Sequence, residues 1–170
     1  MDLKDYIRDI PDFPEPGIVF KDITPLLACP EAFGYTVDKL IEKCSPPDFD
    51  VVVAVESRGF LFGAPMAREL GKPLIPVRKP GKLPGDTLSV EYDLEYGSNV
   101  LEIHSDGISA GQRALVIDDL LAIGGTLSAA SQLVEACGGE VVRLAVVIEL
   151  SFLRGRSQLQ GRDLVSLIQY

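Results

Sequence analysis

The stretch Arg113-Ala114-Leu115-Val116-Ile117-Asp118-Asp119-Leu120-Leu121-Ala122-Ile123-Gly124-Gly125-Thr126 decides the fold. Within residues 113–118, the run 114–117 is apolar without alternation, which predicts a strand covered on both faces, as in a parallel sheet. Two carboxylates close it, a glycine turn follows, and a helix reads from about residue 126 to 137, ended by Gly138-Gly139. Working outward, 50–56 (DVVVAVE) is a second buried strand, then comes a helix over 61–70 closed by Gly71, and a strand over 73–77. Residues 140–150 (EVVRLAVVIEL) read as a further strand. Strand alternating with helix predicts an α/β fold, an open, mostly parallel twisted sheet with helices on both faces.

The flanks are less regular. Residues 3–10 suit one short helix, after which Pro11, Pro14, Pro16 and Gly17 force an extended, turned segment. Phe33, Val37, Leu40, Ile41 and Cys44 share one face of an amphipathic helix over 31–44. Residues 79–97 (KPGKLPGDTLSVEYDLEYG) carry two prolines, three glycines and only weak alternation. A connection of that length predicts a lid or binding loop, although a passive hairpin suits the segment equally well. The whole of 1–170 reads as one domain.

Composition narrows the function. The chain is 46% apolar with a formal charge of −9, and its pI is about 4.6. Such a surface repels nucleic acid and anionic lipid, so an anionic ligand must be held by a few local cations and backbone amides. No apolar run reaches the roughly 18 residues of a membrane span, and no secretory leader is visible; the expected location is cytoplasmic. Cys29, Cys44 and Cys137 form no C-x-x-C pair and read as buried thiols; with His104 as the one histidine, a zinc site is not expected.

The turn after Asp118 is an anion site in outline. Its glycines let backbone N–H groups close around a phosphate, the helix N-terminus favours negative charge, and the Thr126 hydroxyl adds a donor or a cap. Asp118 and Asp119 cannot face a phosphate, but they can accept hydrogen bonds from a sugar diol beside it, so the pattern fits a ribose 5-phosphate. An acid pair before an ordinary helix is the plainer alternative. Neither G-x-x-x-x-G-K-[ST] nor G-x-G-x-x-G occurs. A second strand end, Ser57-Arg58-Gly59-Phe60, offers a guanidinium fork suited to phosphate. Two such ends suggest a substrate phosphorylated at both ends.

VIDD followed by LLAIGGT resembles the signature of the phosphoribosyltransferases. Residues 13–22 (FPEPGIVFKD), 56–63 (ESRGFLFG), 78–85 (RKPGKLPG) and 94–97 (LEYG) resemble the members of that family that act on adenine, in the same order over nearly the whole chain. The resemblance implies transfer of phosphoribose from phosphoribosyl diphosphate to adenine, giving AMP and diphosphate, with magnesium carried by the substrate and no direct protein ligand. It implies that Asp118 and Asp119 hold the ribose hydroxyls and that Ala122, Ile123, Gly124, Gly125 and Thr126 cradle the 5-phosphate. Ser57 and Arg58 would bind diphosphate, in a linkage often cis in the family. Val19, Phe20 and Lys21 would contact adenine. Residues 79–97 would form a mobile hood carrying Glu95 and Tyr96 to the reacting centre. In a homodimer, Arg78 and Lys82 would reach the neighbour's diphosphate.

Two positions depart from the family pattern: Ile123 stands where threonine is usual, and Lys21 where arginine is usual. The rival readings are a transferase for a 6-oxopurine or orotate, and a DNA-binding regulator on the same fold. The hood and 13–22 segments argue against the first, the acidic surface against the second. His104 reads as a structural or surface residue.

Overall fold

The computed structural model describes residues 1–45, 48–93, 98–159 and 161–170, with the side chain of Asp93 left aside. Its chain divides into two compact units, Met1–Lys39 and Leu40–Tyr170.

In the first unit, Leu3–Tyr6 form a 3-10 turn capped by Asp2, whose carboxylate accepts from Lys4 N at 3.0 Å. The expected helix over 3–10 goes no further, because Arg8–Pro11 is a strand, β1, paired antiparallel with β2, Val19–Asp22. Cross-strand charges compete successfully with helix propensity there: Arg8 pairs with Asp22 at 2.6 Å and Lys21 with Asp9 at 2.7 Å. The proline-rich connection bends through Gly17 at φ +88, whose N–H donates to the Asp12 carboxylate at 2.8 Å. Helices α1 (Thr24–Ala28) and α2 (Pro30–Cys44) follow.

In the second unit the strands are β3 (Val51–Val55), β4 (Leu74–Val77), β5 (Thr87–Asp93), β6 (Ser98–His104), β7 (Arg113–Leu121), β8 (Glu140–Glu149) and β9 (Leu164–Gln169). Helix α3 (Gly59–Leu70) joins β3 to β4, and α4 (Gly125–Ala136) joins β7 to β8. The main sheet has the order β4-β3-β7-β8-β9 and every pair in it is parallel. The crossover through α3 moves one way along the sheet and the crossover through α4 the other. With right-handed connections, this puts the two helices on opposite faces.

Side-chain alternation agrees. Val51, Val53, Val55, Ala114 and Val116 join a core with Leu127, Ala130 and Leu133 of α4. The α3 side holds Ala54 and Ile117, so close that a β-carbon on Gly63 would lie 2.7 Å from Ala54 Cβ and 3.0 Å from Ile117 Cγ2. The run 51–55 is fully buried, which is why it lacks any polar alternation.

The segment 79–97 is not simply a long loop. Its second half, β5, pairs residue for residue with β6 in an antiparallel ribbon, from Thr87↔His104 to Asp93↔Ser98. Leu88, Val90 and Tyr92 turn one face of that ribbon onto the core beside α4. This alternation of period two is short and framed by glycine and proline, which concealed it in the sequence. Strand β9 was not anticipated.

Candidate functional site

Strand order positions the site. The chain leaves β3 toward β4 and later returns on the other side of β3 as β7, so the direction of winding reverses between these neighbours. Crevices at the carboxyl ends of strands flanking such a reversal are where open α/β sheets take ligands. Here a cavity of about 450 Å³ opens at that point, lined by Glu56, Ser57 and Arg58 after β3, by residues 118–127, and by Lys79, Tyr92 and Leu101. Thus Ser57, Arg58, Asp118, Asp119, Ala122, Ile123, Gly124, Gly125 and Thr126, all singled out from sequence, share one cavity.

The two acids are buried, Asp118 at 8% and Asp119 at 4% exposure. Burial first, and the neighbouring Asp119 carboxylate second, push the Asp118 pKa well above the usual carboxylate range. Asp118 Oδ1 accepts from Asp119 N at 2.8 Å, and Asp119 Oδ2 lies 2.6 Å from Arg58 Nε. Arg58 therefore leans toward the acid pair rather than away from it. A tight approach makes this possible: a β-carbon on Gly59 would meet Ile117 O at 2.8 Å and Asp118 Cα at 3.1 Å. The start of α3 is thereby pressed onto β7 at Ile117 and Asp118. The peptide bond between Glu56 and Ser57 is cis, one linkage ahead of the Ser57–Arg58 pair.

The start of α4 opens on the cavity. Gly124 takes φ +94, a conformation that only glycine adopts without strain, and no side chain caps the helix. The first N–H groups of a helix have no partner within it and carry partial positive charge. Thr126 Oγ1 lies 3.5 Å from the Tyr92 hydroxyl. Ile123 is half-buried in the loop and brings no hydroxyl to it.

Other expected residues lie elsewhere. Arg78 is not a lining residue; its Nε donates to Glu56 Oε2 at 3.2 Å and its Nη1 to the Lys82 carbonyl at 3.3 Å. Lys79 N donates to the same Glu56 oxygen at 2.9 Å, and this bond foremost holds the Glu56 pKa below its ordinary value. Val19, Phe20 and Lys21 form β2 of the first unit; Val19 is 48% exposed and the Phe20 ring packs edge-on against Phe13 at 5.2 Å. Glu95 and Tyr96 lie outside the described residues. His104 Nε2 donates to Pro84 O, 2.8 Å away, and so ties β6 to the turn before β5.

Sequence reasoning assigned no role to Glu56, Lys79, Tyr92 and Leu101. The Tyr92 position could have been found from its even spacing with Leu88 and Val90. Among the described residues no group of three His, Cys, Asp or Glu side chains gathers to hold a metal, and no helix is long and apolar enough to cross a membrane.

A parallel sheet with a reversal point, an acid pair beside it and a glycine turn with no side-chain cap meet in one cavity. Residues 31–164 match the phosphoribosyl transferase domain, and the chain belongs to the phosphoribosyltransferase family. Its relatives point to one branch. It is 56% identical over 170 residues to the adenine phosphoribosyltransferase of Thermotoga petrophila, covering 100% of both chains. It superimposes on the crystal structure of adenine phosphoribosyltransferase from Thermoanaerobacter pseudethanolicus with a TM-score of 0.97 at 53% identity, over 99% of this chain and 98% of that one. The Saccharomyces cerevisiae adenine phosphoribosyltransferase, complexed with D-2,5-dideoxy-2,5-imino-altritol 1,6-bisphosphate and adenine, matches with a TM-score of 0.91 at 39% identity, over 98% and 96%.

Proposed function

We propose that this chain transfers the 5-phosphoribosyl group of phosphoribosyl diphosphate to adenine, forming AMP and releasing diphosphate in purine salvage. The observation that carries the reading is the shared cavity of the buried Asp118–Asp119 pair and the uncapped turn at Gly124, on a chain similar over its full length to adenine phosphoribosyltransferases.

The roles follow from charge. Residues 122–126 hold the 5-phosphate on backbone amides and the Thr126 hydroxyl. Asp118 and Asp119 accept hydrogen bonds from the ribose hydroxyls. Ser57 and Arg58 bind diphosphate, whose negative charge grows as the bond to the sugar carbon breaks, and fixed donors there stabilise it. Val19, Phe20 and Lys21 are assigned to adenine, and Arg78 and Lys82 to the diphosphate of a neighbouring subunit in a homodimer. The hood, residues 79–97 with Glu95 and Tyr96, closes over the reacting centre and excludes water that would hydrolyse the activated sugar. Magnesium, carried in with phosphoribosyl diphosphate, would supply charge neutralisation on that substrate. Two adjacent buried carboxylates, one already paired with Arg58, suit contact with that ion through ribose hydroxyls or water rather than as its cage. The reading treats 1–170 as one functional domain working in the cytoplasm.

Initial rates with adenine, hypoxanthine and guanine test the assignment. AMP formation dependent on magnesium and phosphoribosyl diphosphate is expected, and equal or faster use of hypoxanthine would overturn the choice of base.

A further inference from the structure

The segment between β8 and β9, Ser151–Leu153 and Gly155–Leu159, forms two 3-10 turns beneath the turn at Gly124. Contact between the two is backbone against backbone. A β-carbon on Gly155 would stand 2.2 Å from the Ala122 carbonyl oxygen and 2.9 Å from Leu121 Cδ1. In the other direction, a β-carbon on Gly124 would stand 2.5 Å from the Gly155 carbonyl oxygen. Gly124 needs to be glycine for its φ alone, whereas Gly155 is not among the residues of positive φ. At Gly155 only the close approach requires glycine.

What holds Gly155 at that distance is the residue beside it. Arg156 sends Nε and Nη2 to the two oxygens of Glu149, both at 2.7 Å, and Glu149 is 4% exposed at the end of β8. Ser166 Oγ and Gln169 Nε2 of β9 donate to Glu149 Oε2 at 2.7 and 3.2 Å, and Arg156 Nη1 reaches Leu164 O at 3.3 Å. Leu150 N, next to Glu149, donates to Leu121 O at 2.9 Å. The clamp thus joins β8, β9 and the turns into one body on which the end of β7 rests. Arg156 is 47% exposed, so the ion pair contributes little net stability, and its use is to fix one arrangement among several.

We propose that Gly155, seated by the Glu149–Arg156 pair, is a positioning residue that sets the depth of the phosphate-binding turn and so tunes affinity for the 5-phosphate. The inference rests on the assignment of residues 122–126 to that phosphate. Adding a methyl group at Gly155 forces the Ala122 carbonyl to retreat by on the order of 1 Å to reach ordinary contact. A displacement of that size in a positioned group costs about tenfold to a hundredfold.

The test compares Gly155→Ala, Arg156→Gln and Arg156→Lys with the parent enzyme, using calorimetric titration of ribose 5-phosphate and steady-state rates. Gly155→Ala is expected to weaken ribose 5-phosphate and raise the KM for phosphoribosyl diphosphate by about tenfold or more, leaving kcat and the KM for adenine in place. Arg156→Gln should move the same quantities by less, and Arg156→Lys should recover part of the loss. If Gly155→Ala does not fold, the arginine pair carries the test. Folded variants that bind ribose 5-phosphate as the parent does, or that lose only active fraction at unchanged KM, overturn the positioning role. A parent that fails to bind ribose 5-phosphate overturns the phosphate assignment itself.

Discussion

Arg58 and Asp119 are joined at 2.6 Å, Nε to Oδ2, so the cation assigned to the leaving group already touches an acid assigned to the sugar. The guanidinium is 42% exposed and the carboxylate 5%. Both ends line the cavity, but the guanidinium is open to solvent while the carboxylate is nearly dry. On the proposed reading, diphosphate arriving at Arg58 would compete with Asp119 for the same donors, which would couple the two interactions.

Arg58→Ala is accordingly expected to weaken phosphoribosyl diphosphate more than free diphosphate, since it also leaves Asp119 beside Asp118 without its cation. Loss of a charge-assisted hydrogen bond costs on the order of 1.5–3 kcal/mol. Titrating diphosphate, phosphoribosyl diphosphate and adenine into the variant checks this, with adenine affinity expected to hold. Unchanged affinity for both phosphorylated ligands contradicts the role.

Asp118→Asn separates stability from function. The raised pKa means that the folded protein binds the proton more tightly than the unfolded chain. Stability therefore drops as pH climbs from the ordinary value of 3.8 through the raised one, and is greatest below both. An amide carries no such charge and can still accept from Asp119 N. Its Tm should exceed the parent's near neutrality, and the gap should shrink toward pH 4. Use of phosphoribosyl diphosphate should meanwhile fall. Melts at several pH values decide the matter; a constant or reversed difference refutes the account.

Ile123→Thr should tighten AMP and phosphoribosyl diphosphate. The backbone amides of the turn remain in both forms, and threonine has a similar branched shape. The gain is one hydroxyl donor to a charged oxygen, and because the cavity is open to water we expect the lower end of the range, about tenfold. The 5-phosphate is present in ground and transition states alike, so KM should change more than kcat. Calorimetry of AMP with both forms is the direct measurement, and equal affinities would rule out the missing hydroxyl.

Gly59→Ala and Gly34→Ala should move in opposite directions. At Gly59 the new methyl meets Ile117 O at 2.8 Å, whereas at Gly34, inside α2, nothing lies within 4 Å. Overpacking at the first costs about 1–3 kcal/mol and disturbs Asp118. Removing a helix glycine at the second stabilises by about 0.5–1 kcal/mol and leaves kinetics alone. Parallel Tm and KM determinations check both halves.

The core of this site was legible because its residues carry strong local constraints. The run 51–55 announces burial on both faces, and D-D followed by G-G-T announces acids before an open helix start. The same kind of reading placed α2 and α4 to within a residue or two. The ribbon β5–β6 was only partly legible, as the hairpin alternative for 79–97, because its alternation is short and bounded by turn residues and its second strand lies beyond that segment. Strand β1 was misread as helix because its pairing partner, β2, lies beyond a proline turn and supplies charges that no local pattern reveals. The roles of Gly59 and Gly155 depend on which backbone passes within 3 Å, a fact about distant segments that composition does not encode.

The reversal of winding between β3 and β7 also governs how the enzyme comes into being. On the ribosome, β3 and β4 emerge and can pair first, but the other edge of β3 must wait for residues 114–117, which register against 51–54. Until then a fully apolar strand presents unpaired N–H and C=O groups, a template for association with any other extended chain. Arg113, whose guanidinium and N–H both engage Asp50 at the entry to β3, is the first residue of β7 to arrive and can set the register as it does. The topology that brings two distant strand ends to one cavity thus leaves the nascent enzyme with an exposed edge until residues 114–117 have been made.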